Sequence, residues 1–107
     1  MRVLLNECVN PRVRAALPDH NVKTVIDMSW QGTTNGKLLT LAEAEGFEVF
    51  VTVDRNLSYQ QNVAARGLGL VVVRVKSNHI NAYVPIFSKL NRAVETVAVG
   101  QTIYVSE

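Results

Sequence analysis

The sequence predicts an α/β fold: a three-layer α/β/α sandwich around a mainly parallel sheet of about five strands. Two observations predict it. Short apolar runs rich in Val and Ile alternate along the chain with segments of helical spacing, in the order β-α-β-α-β-α-β-α-β. The clearest runs, Val3-Leu4-Leu5 and Leu70 to Val73, are apolar without alternation, as expected of strands covered on both faces. Regular alternation of strand and helix calls for right-handed crossovers and parallel pairing. A length of 107 residues suits one domain, 1–107, and neither a linker nor a repeat interrupts it.

The elements follow in order. Residues 2–6 read as a short buried strand. Asn10-Pro11 opens a helix over about 11–17, since Asn accepts from free backbone N–H groups and Pro at the first helical position loses no needed bond. Pro18 to Asn21 is a turn, and Val22 to Ile26 the second strand. Thr33 or Thr34 caps a helix over about 35–45 whose apolar face is Leu38, Leu39, Leu41 and Ala42, and Gly46 stops it. Phe47 to Thr52 is the third strand. Ser58 caps a short helix, 59–66, ended by Gly67, and Leu68 to Val75 is the fourth strand. The last helix, about 81–98, buries Ile86, Phe87, Leu90, Ala93, Val94 and Val97 and carries Pro85 in its first turn. Gly100 ends it, and Thr102 to Val105 is the final strand.

Composition narrows the class. The chain is 48% hydrophobic and 19% charged, which excludes disordered and fibrous proteins. Its longest apolar runs are of strand length, so no membrane span is expected. Met1-Arg2 leads directly into a strand, unlike a signal peptide, and the single Cys8 forms no internal disulfide; a reducing cytoplasm is the expected compartment. Net charge is +2 and the isoelectric point about 8.9, just short of a dedicated nucleic-acid binder. The cations are scattered, so charge permits RNA contact without requiring it.

Each of the first four strands runs into polar residues: Asn6-Glu7, Asp27, Asp54-Arg55-Asn56 and Arg74. Ligands of open parallel sheets bind at these carboxyl ends. Glu7, Asp27 and Asp54 are therefore candidates for a Mg²⁺ or Mn²⁺ site, with Arg74 for a phosphate; the alternative is that such acids cap helices and form turns. Asn56 and Gln60-Gln61-Asn62 offer amides to phosphates, sugars or bases, or else an exposed helix surface. Tyr59 and Trp30 are either stacking platforms or packing residues. Cys8 is best read as a small buried thiol, because His20 falls at the far edge of the sheet and His79 several residues past the fourth strand. Neither a P-loop nor a G-x-G-x-x-G is found, and Lys76 alone answers to the lysine of a receiver-like phosphorylation domain.

Three blocks carry a family resemblance. M-R-V-L-L-N-E-C-V-N-P at 1–11 resembles the opening of small prokaryotic PIN-like proteins, which begin with a strand, Asp-Glu and a Pro shortly after. W-Q-G-T-T-N-G-K-L-L at 30–39 and T-V-D-R-N-L-S-Y-Q-Q-N at 52–62 resemble two further blocks of one branch of that family, in the same order and spacing. The resemblance spans nearly the whole chain. It implies a PIN-like sandwich and a metal-dependent ribonuclease, the toxin of a toxin–antitoxin pair held by a small antitoxin, with a homodimer by analogy. Carried over by position, the catalytic set is Asn6 with Glu7 adjacent, Asn35 and Asp54, with Asp54, Glu7 and Asn6 on a Mg²⁺ or Mn²⁺ ion; Asn56 matches a further family position and would meet RNA, and Arg74, from its strand-end place, would steady a phosphate. Asn6 stands where the family has Asp, and Asn35 and Asn56 are amides where other branches have acids. The implied ribonuclease is thus weakened or inactive, and a non-catalytic module binding protein or nucleic acid is the rival reading.

Overall fold

A computed structural model describes residues 1–107. Five strands form one all-parallel sheet in the order β2-β1-β3-β4-β5: β1 Arg2–Leu5, β2 Asn21–Thr24, β3 Val49–Thr52, β4 Gly69–Val73 and β5 Thr102–Val105. Register is continuous across the sheet, with Leu5 beside Thr24 and Val51, Val51 beside Val71, and Val71 beside Ile103. The helices are α1 Asn35–Ala44, α2 Leu57–Gln60, α3 Ile80–Tyr83 and α4 Phe87–Thr96. No helix is long and apolar enough to cross a membrane.

Side chains in a strand alternate between faces, and that alternation divides the core in two. Val3, Leu5, Val49, Val51, Val71 and Val73 face one way, into a cluster of 18 buried residues with α4 and the segment Pro11–Ala16. Leu4, Phe50, Leu70 and Val72 face the other way, into a cluster of 12 with α1, Leu57 and Val63. The three-layer sandwich expected from the sequence is the one observed. Every residue of β3 and β4 is buried, which explains why their sequences lack polar alternation.

Several element boundaries differ from expectation, each for a local reason. The first helix is a 3-10 helix over Pro11–Ala16, and Asn10 Oδ1 caps it by accepting from the Arg12 N–H at 2.9 Å. β2 stops at Thr24, because Asp27 accepts from the Thr24 N–H and donates its own N–H to Thr24 Oγ1, which turns the chain out of the sheet. Neither Thr33 nor Thr34 caps α1 with its hydroxyl; Thr33 Oγ1 donates instead to the Trp30 carbonyl at 2.6 Å. Leu38, Leu39 and Ala42 are buried on α1, whereas Leu41 is only half-buried.

The helix expected over 59–66 is split. α2 starts at Leu57 and Ser58 does not cap it, because Asp54 Oδ1 accepts from the Asn56 N–H and starts the turn earlier. Asn62, with φ of 48°, then breaks the run, and a 3-10 turn Val63–Ala65 follows. The long final helix is also interrupted. Pro85 has no N–H for the carbonyl four residues back, so α3 ends at Tyr83, a 3-10 turn covers Val84–Ile86, and α4 begins at Phe87.

The junction of α4 with β4 is tight. A Cβ at Gly69 would lie 2.9 Å from the Ala98 carbonyl oxygen and from both methyls of Val97. A side chain there forces the end of α4 off the sheet. Gly69→Ala is expected to destabilise the domain by about 1–3 kcal/mol, read as a lower urea midpoint with unchanged slope. An unchanged midpoint means the α4–β4 contact yields without cost.

Candidate functional site

The site forms where the central strands β1 and β3 end together. The Asn6 N–H donates to the Val51 carbonyl at 2.9 Å, continuing the β1–β3 ladder one residue past β1. Thr52, the last residue of β3, is the one polar side chain among the buried residues. Its hydroxyl oxygen accepts from Asn6 Nδ2 at 2.9 Å and from the Asp54 N–H at 3.1 Å. A hydroxyl has two lone pairs and one proton. With both lone pairs occupied, the proton points to Cys8 Sγ, 3.5 Å away. One buried oxygen thus joins Asn6, Cys8 and Asp54.

The orientation of the Asn6 amide follows. The Glu7 backbone N–H, which can only donate, meets Asn6 Oδ1 at 2.9 Å, so the nitrogen of the amide faces Thr52. Glu7 turns its carboxylate to the loop after β2, where Oε1 accepts from the Gly32 N–H at 3.0 Å. That contact holds the loop leading into α1, whose first residue is the half-buried Asn35. Gln61 lies against Gly36 and ties the start of α1 to the end of α2. Asp54 uses Oδ1 on the Asn56 N–H at 3.0 Å. The Asn56 side chain is exposed. Arg74 sits past β4 and lines a cleft together with Arg55 and Cys8.

The strand ends therefore bring Asn6, Glu7 and Asp54 to one side of the sheet, with Asn35 and Asn56 at adjoining helix starts. Asp27 does not join them. It lies past the edge strand β2, pairs with Arg14 at 2.7 Å and accepts from the Thr24 N–H at 2.9 Å. The Thr24 N–H above all holds its carboxyl below the ordinary value of 3.8; desolvation opposes it, and the Thr24 hydroxyl and the Arg14 guanidinium add to the lowering. Asp27 is a turn residue, as strand-end acids often are.

One more expectation is corrected, and two open alternatives are decided. Cys8 is exposed, not a buried thiol. Trp30 packs edge-on against Phe47, with centroids 6.2 Å apart, and covers the smaller core instead of offering a free platform. Tyr59 is 81% exposed and packs against no loop, which leaves its ring open. Sequence reasoning passed over Thr52, whose polar side chain inside an apolar strand was the available signal. It also passed over Asn78 and Tyr83, which meet Asn10 across 68 and 73 residues and left no local signal.

Mg²⁺ and Mn²⁺ are hard cations that bind oxygen, and net negative charge among the ligands strengthens the hold. Nowhere does a cluster of three His, Cys, Asp or Glu side chains stand ready for a metal. Here Asn6 has both amide atoms engaged, and Glu7 and Asp54 each have one oxygen on a backbone N–H. As they stand, these residues do not fit a divalent ion held jointly by Asn6, Glu7 and Asp54. Searches against protein-family models, curated proteins and solved structures return no match for the chain.

Two outcomes follow. Thr52→Val leaves the Asn6 amide and the Asp54 N–H without their acceptor, and is expected to cost about 1–3 kcal/mol in chemical denaturation; a cost near zero means water replaces the hydroxyl. Asp27 has a depressed folded pKa, so its contribution is full above the unfolded value of 3.8 and is lost as pH falls through the lower folded value. Asp27→Asn should flatten the acid limb of a stability–pH curve below about pH 4. An acid limb identical to that of the parent chain refutes this.

Proposed function

We propose that the chain is a PIN-like domain with a ribonuclease-type pocket, the toxin of a toxin–antitoxin pair, in which Asn6 leaves the pocket weak or inactive. The observation that carries this reading is the hydrogen-bonded set of Asn6, Thr52 and Asp54 at the ends of the two adjacent strands β1 and β3. It is supported by the all-parallel sheet and by the sequence blocks at 1–11, 30–39 and 52–62. RNA, a small antitoxin and a second copy are the partners it implies.

In this reading Asp54 supplies the carboxylate at the centre of the pocket and Glu7 a second one beside it. Asn35 and Asn56 offer amides to the RNA, and Arg74 steadies a phosphate. With Asn6 in place the residues bind and orient; the charge a divalent cation needs is short by one. An Asp at position 6 restores that charge and reverses the hydrogen bond to Thr52, since a carboxylate accepts where the amide donates.

A second reading has its own observation. The Asn6 amide is fully satisfied by Thr52 and Glu7, as expected of a structural residue. Tyr59 is exposed beside Gln60 and Asn62, a surface suited to stacking on an unpaired base and bonding its edges. This is the non-catalytic module, binding nucleic acid or protein without cutting.

Cleavage of a mixed RNA panel with Mn²⁺ separates the two, comparing the chain with Asn6→Asp and with Asn6→Asp plus Asp54→Ala. The expected result is that Asn6→Asp alone cuts, with Mn²⁺ affinity raised at least about tenfold, and that Asp54→Ala abolishes both gains. If Asn6→Asp neither cuts nor binds Mn²⁺ while remaining folded, the ribonuclease reading falls and the binding module stands.

A further inference from the structure

We propose that the cleft between the ends of β3 and β4 binds a phosphate monoester at the end of an RNA strand. The phosphate part is independent of the ribonuclease reading; the strand attached to it rests on that reading. The cleft has a volume of about 410 Å³ and is lined by Cys8, Arg55, Arg74, Ser77, Asn78 and Tyr83, with Val53, Val73 and Val75 as its apolar wall.

Its free valences are donors. Arg55 and Arg74 are both exposed, and neither belongs to the two ion pairs of the chain, Arg14–Asp27 and Arg66–Glu43. No acidic side chain lines the cleft. Asn78 Oδ1 accepts the Tyr83 hydroxyl proton at 2.6 Å, which leaves the amide N–H groups of Asn78 to donate. Ser77 Oγ accepts from the His79 N–H at 3.3 Å, which leaves its proton to donate. Tyr83 is spent on Asn78 and on the Asn10 N–H, and its burial raises its pKa, so it adds no negative charge. Two unpaired guanidiniums with no opposing acid suit a doubly charged phosphate.

The wall is preorganised. Asn10 Nδ2 donates to the Asn78 carbonyl at 2.8 Å and so holds the loop after β4 against the loop after β1. The volume falls within the range of small-ligand pockets, about 300–1,000 Å³, and exceeds what a phosphate alone fills. The three valines leave room for the attached sugar or base. The adjoining cleft of about 610 Å³ shares Arg74 and adds Lys76, but it includes Glu107, whose charge offsets one of them, so the acid-free first cleft with its two guanidiniums suits the phosphate better. Arg55 directly follows Asp54 and Cys8 directly follows Glu7, so a strand anchored here starts one residue along the chain from each of these acids.

The test is fluorescence anisotropy in EDTA, so that metal binding plays no part. The probe is one short single-stranded oligoribonucleotide with a 5′-phosphate, with a 3′-phosphate, or with hydroxyls at both ends. One phosphorylated form is expected to bind at least about tenfold tighter than the hydroxyl form. Arg55→Gln and Arg74→Gln should each erase that preference, and Lys23→Gln, on the far edge strand, should keep it. The bound form should also slow alkylation of Cys8, the only thiol, read by intact mass. Equal affinity for all three forms overturns the proposal, as does a preference that leaves Cys8 unprotected. Inorganic phosphate that competes as well as the phosphorylated strand overturns the strand-end assignment. Failure of Asn6→Asp to cut RNA leaves this end preference untouched, so the two proposals fail separately.

Discussion

The strand-end pocket depends on one buried hydroxyl. A parallel sheet covered on both faces tolerates few polar side chains in its strands, and here Thr52 is the single buried polar residue. Burial obliges its oxygen to be satisfied. The partners available are the Asn6 amide from β1, the Asp54 N–H from its own chain and the Cys8 thiol. Satisfying them sets the rotation of the Asn6 amide, starts the turn that aims Asp54, and places Cys8 at the mouth of the neighbouring cleft. Removing the hydroxyl leaves several groups without orientation at once, because they share one acceptor.

That constraint gives Asn6 its meaning. An amide donates to Thr52 and a carboxylate cannot, so position 6 and position 52 must match in their hydrogen-bond roles. The same threonine can serve either residue by rotating its proton, at no cost in backbone geometry. The pocket is therefore a frame in which charge at position 6 changes chemistry more than structure. Asn35 and Asn56 differ in this respect, since each sits at a helix start and neither is locked by the buried hydroxyl.

Much of the fold was legible because burial on both faces writes itself into apolar runs: β1, β3, β4 and β5 were found within a residue or two. What was missed is local and polar. The end of β2 depends on a bond between Thr24 and Asp27, the start of α2 on one between Asp54 and Asn56, and the break after α2 on a left-handed Asn62. None of these alters hydrophobic spacing. Strand ends were legible, so Asn6, Glu7, Asp54 and Arg74 were expected past the ends of β1, β3 and β4 and lie there, while Asp27 was grouped with them although it follows the edge strand β2 and pairs with Arg14. The wall of the cleft was illegible because Asn10, Asn78 and Tyr83 meet only through the fold.

The division of the core into clusters of 18 and 12 buried residues has a dynamic consequence. The smaller cluster holds α1 and the short α2, so less apolar area resists their departure from the sheet. Local opening favours regions with few buried contacts, and it begins on that side. Asn35 and Asn56 sit at the starts of those helices, whereas Tyr83 and Val73 of the cleft wall belong to the larger cluster, with Val53 and Val75 packed against it. The strand-end region thus has a stiffer half, on the larger cluster, and a softer half, on the smaller one.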